Sequence, residues 1–304
     1  MPRRAALALF GALTGVALLF LTWFAAFYIA VVGRADASVL YGFTDLEGRF
    51  VDRIAGEIAH LCDPKPYVFF CAALVLIAVI RRRGRVAAAV AGILLAANFT
   101  TELLKSVLIQ RHPDPVTVPG YFQHQVAAGA WPSGHATAAM SLALCAVLVA
   151  RARWRPVVAA AGAAFAVAVS FSFLILAWHY PTDVLGGFLV AGTWTLIGVA
   201  AVSMADARWP RSAPGSAPVR LTTRQALGPP IAAALAALVL VGLVVLARPH
   251  PVVAYAHAHQ AFVIGAAAIG ALSLALVTGL MLATTVRRDV SDSGPVPTAA
   301  PRRG

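Results

Sequence analysis

The chain has 304 residues, of which 60% are hydrophobic and 12% charged, and Lys and Arg outnumber Asp and Glu by 24 to 12, for a formal net charge of +12. So little polar surface excludes a soluble globule of this length and makes the chain an integral membrane protein. The positive charge is not a nucleic-acid footprint, because it falls in short clusters that occupy alternate loops between apolar stretches, as the positive-inside rule requires.

A helix needs about 20 apolar residues to cross the hydrocarbon core, and the candidate runs are roughly 5–32, 66–80, 86–105, 134–150, 156–178, 182–204, 229–247 and 261–285. The first run follows Arg3 and Arg4, but its uncharged stretch of about 28 residues exceeds the core of a signal peptide, so it is expected to stay as the first helix. Residues 34–65 hold six acidic residues against four basic ones and form the first outer segment. There, Leu46, Phe50, Ile54, Ile58 and Leu61 recur at helical spacing, which predicts an amphipathic helix lying on the membrane. Residues 106–133, rich in Pro, Gln and aromatics, form a second outer loop long enough to cover a site. Loop 178–183 is so short that the helices it joins must be antiparallel neighbours.

Arg81, Arg82, Arg83 and Arg85, then Arg151, Arg153 and Arg155, then Arg208, Arg211, Arg220 and Arg224, and finally Arg287 and Arg288 all fall on one side, the cytoplasm. Both termini are therefore expected inside, and loops 106–133 and 178–183 outside. Residues 205–228 combine Pro, Gly, Ser and Arg, which predicts a cytoplasmic linker between six helices and two more. The tail has nothing to bury and is expected to be disordered. Cys62, Cys71 and Cys145 imply no disulfide framework and no Cys-based metal site. His250, His257 and His259 have metal-compatible spacing but no Cys or carboxylate beside them, and are read as solvated loop histidines. Trp131, Tyr121, Phe122 and Trp178 are read as anchors at the membrane interface.

The chemistry concentrates at three boundaries between polar loop and apolar run. Pro132-Ser133-Gly134-His135 opens the fourth run, where the first turn of a helix offers unpaired N–H groups and a positive dipole end to an anion. Ser133 adds a hydroxyl donor, Gly134 allows close backbone approach, and His135 is placed to protonate a leaving oxygen. His179 and Asp183 lie four residues apart around Pro181, so the carboxylate can fix the imidazole tautomer and leave the other ring nitrogen free to attack phosphorus. Lys105 ends the third run and Arg111 follows six residues later, so both cations can converge on phosphate oxygens. Glu102, one turn before Lys105, is read as pairing with it or with another cation rather than as a catalytic base. Taken singly these are a capping turn, an interfacial His–Asp pair and a snorkelling lysine; together they are the inventory for handling a phosphate.

These residues resemble the type 2 phosphatidic acid phosphatase (PAP2) superfamily, which also includes bacterial acid phosphatases and vanadium haloperoxidases. Its pattern is Lys, six residues, Arg-Pro; then Pro-Ser-Gly-His; then Ser-Arg, five residues, His, three residues, Asp. Lys105 and Pro113 fit the first element, Pro132 to His135 the second, and His179 and Asp183 the end of the third. His112 stands where the family has its first arginine, with Arg111 one step early, and Ser172-Phe173 stands where it has Ser-Arg.

The resemblance implies an all-α, polytopic membrane bundle with a six-helix PAP2-like core over residues 1–204. A linker (205–228), a two-helix appendix (229–286) and a disordered cytoplasmic tail (287–304) would follow. It also implies a two-step hydrolysis without metal or cofactor. His179, oriented by Asp183, attacks phosphorus, His135 protonates the leaving group, and Lys105, Arg111, Ser133 and Gly134 hold the oxygens. A site at the membrane edge suits a lipid phosphate: phosphatidic acid, phosphatidylglycerol phosphate, or a polyprenyl phosphate or diphosphate. The alternatives are a phosphotransferase, a non-catalytic lipid-phosphate binding protein that the missing arginine would favour, and a transporter. The last has no charged series at mid-membrane depth to support it.

Overall fold

The computed structural model describes residues 1–46, 48–109, 112, 126, 128–210 and 221–285. The described residues form an all-helical bundle: α1 (Arg3–Tyr28), α2 (Ala30–Thr44), α3 (Arg49–Ala59), a 3-10 turn (His60–Cys62), α4 (Pro64–Ile80), α5 (Gly84–Val107), α6 (Gly134–Val149), a 3-10 turn (Ala152–Trp154), α7 (Arg155–Ile175), α8 (Pro181–Arg208), α9 (Thr223–Ala247), α10 (Pro249–Ala258) and α11 (Gln260–Thr285). Among them α1, α5, α7 with its preceding turn, α8, α9 and α11 are long and apolar enough to cross a membrane. The pair α3–α4, bent by 51° at the Cys62–Pro64 break, makes a seventh candidate. This is a multi-pass membrane protein.

The run expected at 134–150 is a helix of only 16 residues, about 24 Å at 1.5 Å per residue, which falls short of the hydrocarbon thickness. It does not need to reach. α6 sits in the middle of the bundle with α5, α7 and α8 around it, and nearly every residue from Ala136 to Val149 is buried. Protein rather than lipid surrounds it.

Within residues 34–65 the amphipathic helix expected around residues 46–61 is α3, while the stretch before it departs from an outer segment. α2 buries Asp36, Val39, Leu40 and Phe43 in the bundle, and only α3 carries the amphipathic pattern. Ala55 and Ala59 are buried on the side that packs on α7, while Phe50 and Ile54 project outward. The reason lies in the composition of residues 30–44, a mix of small and apolar side chains that packs well against other helices.

The arginine clusters gather at one end. Arg81 and Arg83 donate through Nη1 to the Val149 carbonyl at 2.8 and 3.0 Å, satisfying the C-terminus of α6. Arg85 pairs with Asp206 and donates to the Trp209 carbonyl, and Arg155 donates to the Thr284 carbonyl at 2.7 Å. The C-terminal helices lean on the bundle through α11. Ser273 donates to the Ala163 carbonyl at 3.1 Å, and the Phe262 ring meets Phe43 edge-on at 4.8 Å. The stretch read as a histidine-bearing loop is the helix α10, started by Pro249 in its first turn. His250 and His257 are exposed on it, whereas His259 pairs with Asp45 at 3.0 Å.

Candidate active site

The site lies at the end opposite the arginines, where α5 and α7 finish and α6 and α8 begin. Ser133 is the N-cap of α6. Its Oγ accepts from the Ala136 N–H at 3.3 Å, and its own N–H donates to the Asp183 carbonyl at 2.9 Å, which ties the start of α6 to the start of α8. A capping hydroxyl still has its proton to give. Thr137 donates to the Ser133 carbonyl at 2.9 Å and lies 3.0 Å from Thr101 Oγ1, joining α5 to the same turn.

Two glycines of α8 make this junction possible. A Cβ on Gly187 would stand 2.7 Å from the Ser133 carbonyl oxygen, 2.8 Å from the Ala136 side chain and 2.9 Å from the Thr137 nitrogen. A Cβ on Gly186 would stand 2.8 Å from the Trp131 ring nitrogen. Trp131 is thus a buried packing residue beside Leu19, Ala97 and Val190 rather than an interface anchor. Trp178 lies 6.0 Å from the His60 ring and 5.7 Å from the His135 ring, so it lines the site. Tyr121 and Phe122 lie outside the described residues.

Asp183 serves two purposes with one oxygen. Its Oδ2 accepts from the Tyr180 N–H at 2.9 Å, completing a capping box at the start of α8, and lies 3.2 Å from His179 Nδ1. The His179 Nε2 is left as the nitrogen turned away from the carboxylate. A second buried carboxylate braces the same turn: Asp36 of α2 accepts from both the backbone N–H (3.0 Å) and the hydroxyl (2.5 Å) of Thr182. Burial pushes the Asp36 carboxyl above the ordinary carboxylate range, with the bonds from His112 and Thr182 acting against that rise. His112 stands 3.3 Å from Asp36 and stacks on Tyr180 at 3.7 Å, so it supports the turn from behind.

The two histidines expected to share a phosphate do come together. Their ring centroids are 6.5 Å apart, close enough for one phosphoryl group to touch both. Lys105 joins them: its Nζ lies 3.2 Å from where a Cβ on Gly134 would be, and it is paired with Glu102 at 2.8 Å. A side chain at 134 would press on the ammonium, which would have to shift by a few tenths of an ångström. Arg111 and Pro113 lie outside the described residues. Phe173, in the position where the family pattern has an arginine, is fully buried with its ring 5.2 Å from His179 and 6.1 Å from His135. An apolar wall stands where a guanidinium would. Ser172 turns back to its own helix, donating to the Ala168 carbonyl at 2.8 Å.

Sequence reasoning missed Asp63, whose carboxylate lies 3.2 Å from His135 and 2.8 Å from His60. The available signal was the polar group His60-x-x-Asp63 at the border of the second apolar run.

The family model of the PAP2 superfamily matches residues 86–209. None of the curated proteins and none of the solved structures gives a significant match to the chain. The matched stretch runs from α5 to the end of α8, the helices that bring Lys105, His135 and His179 to one end of the bundle, and it supports phosphatase-type activity in general. Residues 86–209 of this membrane protein are thus matched by the PAP2 superfamily.

Proposed function

We propose that the protein hydrolyses a phosphomonoester or diphosphate on a lipid headgroup, through a phosphohistidine and at the extracytoplasmic face of the membrane. The observation that carries this reading is the convergence of His179, already tethered to Asp183, with His135, its ring centre 6.5 Å away, and with Lys105 beside Gly134. In the first step the His179 Nε2 lone pair forms a bond to phosphorus while the phosphorus–oxygen bond to the leaving group breaks. The departing oxygen takes a proton from His135. In the second step water attacks phosphorus, the P–N bond breaks, and His135 accepts the water's proton. Asp183 holds the His179 ring in the reactive tautomer and offsets its developing positive charge.

Lys105, the Ser133 hydroxyl, the Gly134 N–H and Arg111 would hold the phosphoryl oxygens. A site at the rim of a bundle keeps the substrate's tails in lipid while its headgroup reaches the histidines. In this reading residues 1–204 form the catalytic unit, 205–228 a cytoplasmic linker and 229–286 a membrane appendix, with both termini in the cytoplasm and the arginine end facing it.

The test is phosphate release in detergent from a panel of phosphatidic acid, phosphatidylglycerol phosphate and polyprenyl phosphate and diphosphate. The wild type is expected to release phosphate from at least one of them. His179→Ala should lose all release while keeping its thermal transition. Release unchanged in that variant would overturn the mechanism. Phe173 and the Glu102–Lys105 pair, which reduce the positive charge offered to a phosphate, favour a second reading as a non-catalytic lipid-phosphate binder. That reading expects no release from the wild type and binding that survives His179→Ala. A product with phosphate on another lipid would identify phosphoryl transfer.

A further inference from the structure

We propose that Asp63 is a positioning residue for His135, forming a second His–Asp pair opposite His179–Asp183. The inference rests on the phosphatase reading above and names a residue outside the stretch that matches the family, since Asp63 lies ahead of residue 86.

Asp63 occupies the N-cap position of α4, where an aspartate ordinarily accepts from the N–H of the second or third helical residue. Here it makes no such bond. The sequence Asp63-Pro64-Lys65-Pro66 bears on this: proline at the third helical position removes one of those two N–H groups and leaves only that of Lys65. The side chain turns instead to two imidazoles. Oδ2 meets His60 Nδ1 at 2.8 Å, which fixes the carboxylate, and Oδ1 meets His135 Nε2 at 3.2 Å.

A carboxylate only accepts, so His135 presents Nε2–H to Asp63 and keeps Nδ1 as the nitrogen that faces the reaction. When His135 is cationic, Nδ1–H is the proton given to the leaving oxygen; when it is neutral, bare Nδ1 is the acceptor for the attacking water. Burial disfavours a charged imidazole at this position, and Asp63 counters that penalty. The arrangement is complementary to the nucleophile's. Asp183 engages Nδ1 of His179 and leaves Nε2, whereas Asp63 engages Nε2 of His135 and leaves Nδ1.

A residue that positions a general acid matters in proportion to the leaving group's need for a proton. Dodecyl phosphate and 4-dodecyl-2-nitrophenyl phosphate share a tail, but an alkoxide requires protonation to depart and a nitrophenolate does not. Asp63→Asn is expected to lower kcat/KM for dodecyl phosphate by roughly 10- to 100-fold, a large part of what general acid catalysis supplies, and to leave the nitrophenyl ester within about threefold of wild type. His135→Ala should show the same selectivity with a larger loss on the alkyl ester. Equal losses on both esters in Asp63→Asn, or no loss on either, would overturn the assignment while leaving the phosphatase reading intact. A wild-type protein that releases phosphate neither from these esters nor from any lipid of the panel would remove the phosphatase reading, and this inference with it.

Discussion

α6 and α9 look alike as sequences, each an apolar segment with at most one charged residue, yet they occupy opposite environments. α6 is buried from Ala136 to Val149 with little interruption, while along α9 only Ala226 and Pro230 are buried and Leu235, Leu238, Leu240 and Leu246 all project outward. Hydropathy reports avoidance of water, and lipid and protein satisfy that equally. What distinguishes the two helices is shape. α6 opens with a cap and a glycine at a junction of several helices, whereas α9, although it touches α7 and α11, leaves most of its length uncovered.

The sharpest way to break this contrast is to remove matched side chains. Leu144, buried on α6, should lose about 2–5 kcal/mol of stability as Leu144→Ala. Leu240→Ala on α9 should stay within about 0.5 kcal/mol. Thermal midpoints in one detergent would compare them, and equal shifts would mean that α9 is packed after all. The next effect is added bulk. Gly187→Ala places a Cβ within 2.7 Å of the Ser133 carbonyl, a backbone atom that no rotamer change can move away. It should cost about 1–3 kcal/mol and reduce phosphate release beyond what the stability loss explains. The smallest effect has the opposite sign: Gly242→Ala meets nothing within 4 Å and should stabilise α9 by up to about 1 kcal/mol through helix propensity alone. A destabilised Gly242→Ala would show that α9 meets a neighbour along this face.

The same contrast runs through the candidate site. The His179–Asp183 and Glu102–Lys105 pairs were legible because both partners sit within four residues, where one helical turn or a capping box dictates contact. The contact between Asp63 and His135 spans 72 residues and depends on which way a capping aspartate turns, so no local pattern announces it. Phe173 read as a missing cation; its actual position, edge-on to His179 and tilted toward His135, depends on the rotation of α7. His112, which stands where the family has its first arginine, had no role legible in the sequence, and it braces Tyr180 and Asp36.

By itself the sequence determined that this chain lives in a membrane, roughly where its long helices start, and which side chains meet within a turn, because burial of apolar side chains and local hydrogen bonding act over a few residues. Only the tertiary structure decided that α6 is enclosed by protein, that Gly186 and Gly187 draw two helix starts together, and that a carboxylate from the α4 cap reaches His135. Those outcomes depend on close packing between elements distant in the chain. Close packing selects on shape, which neither hydropathy nor spacing encodes.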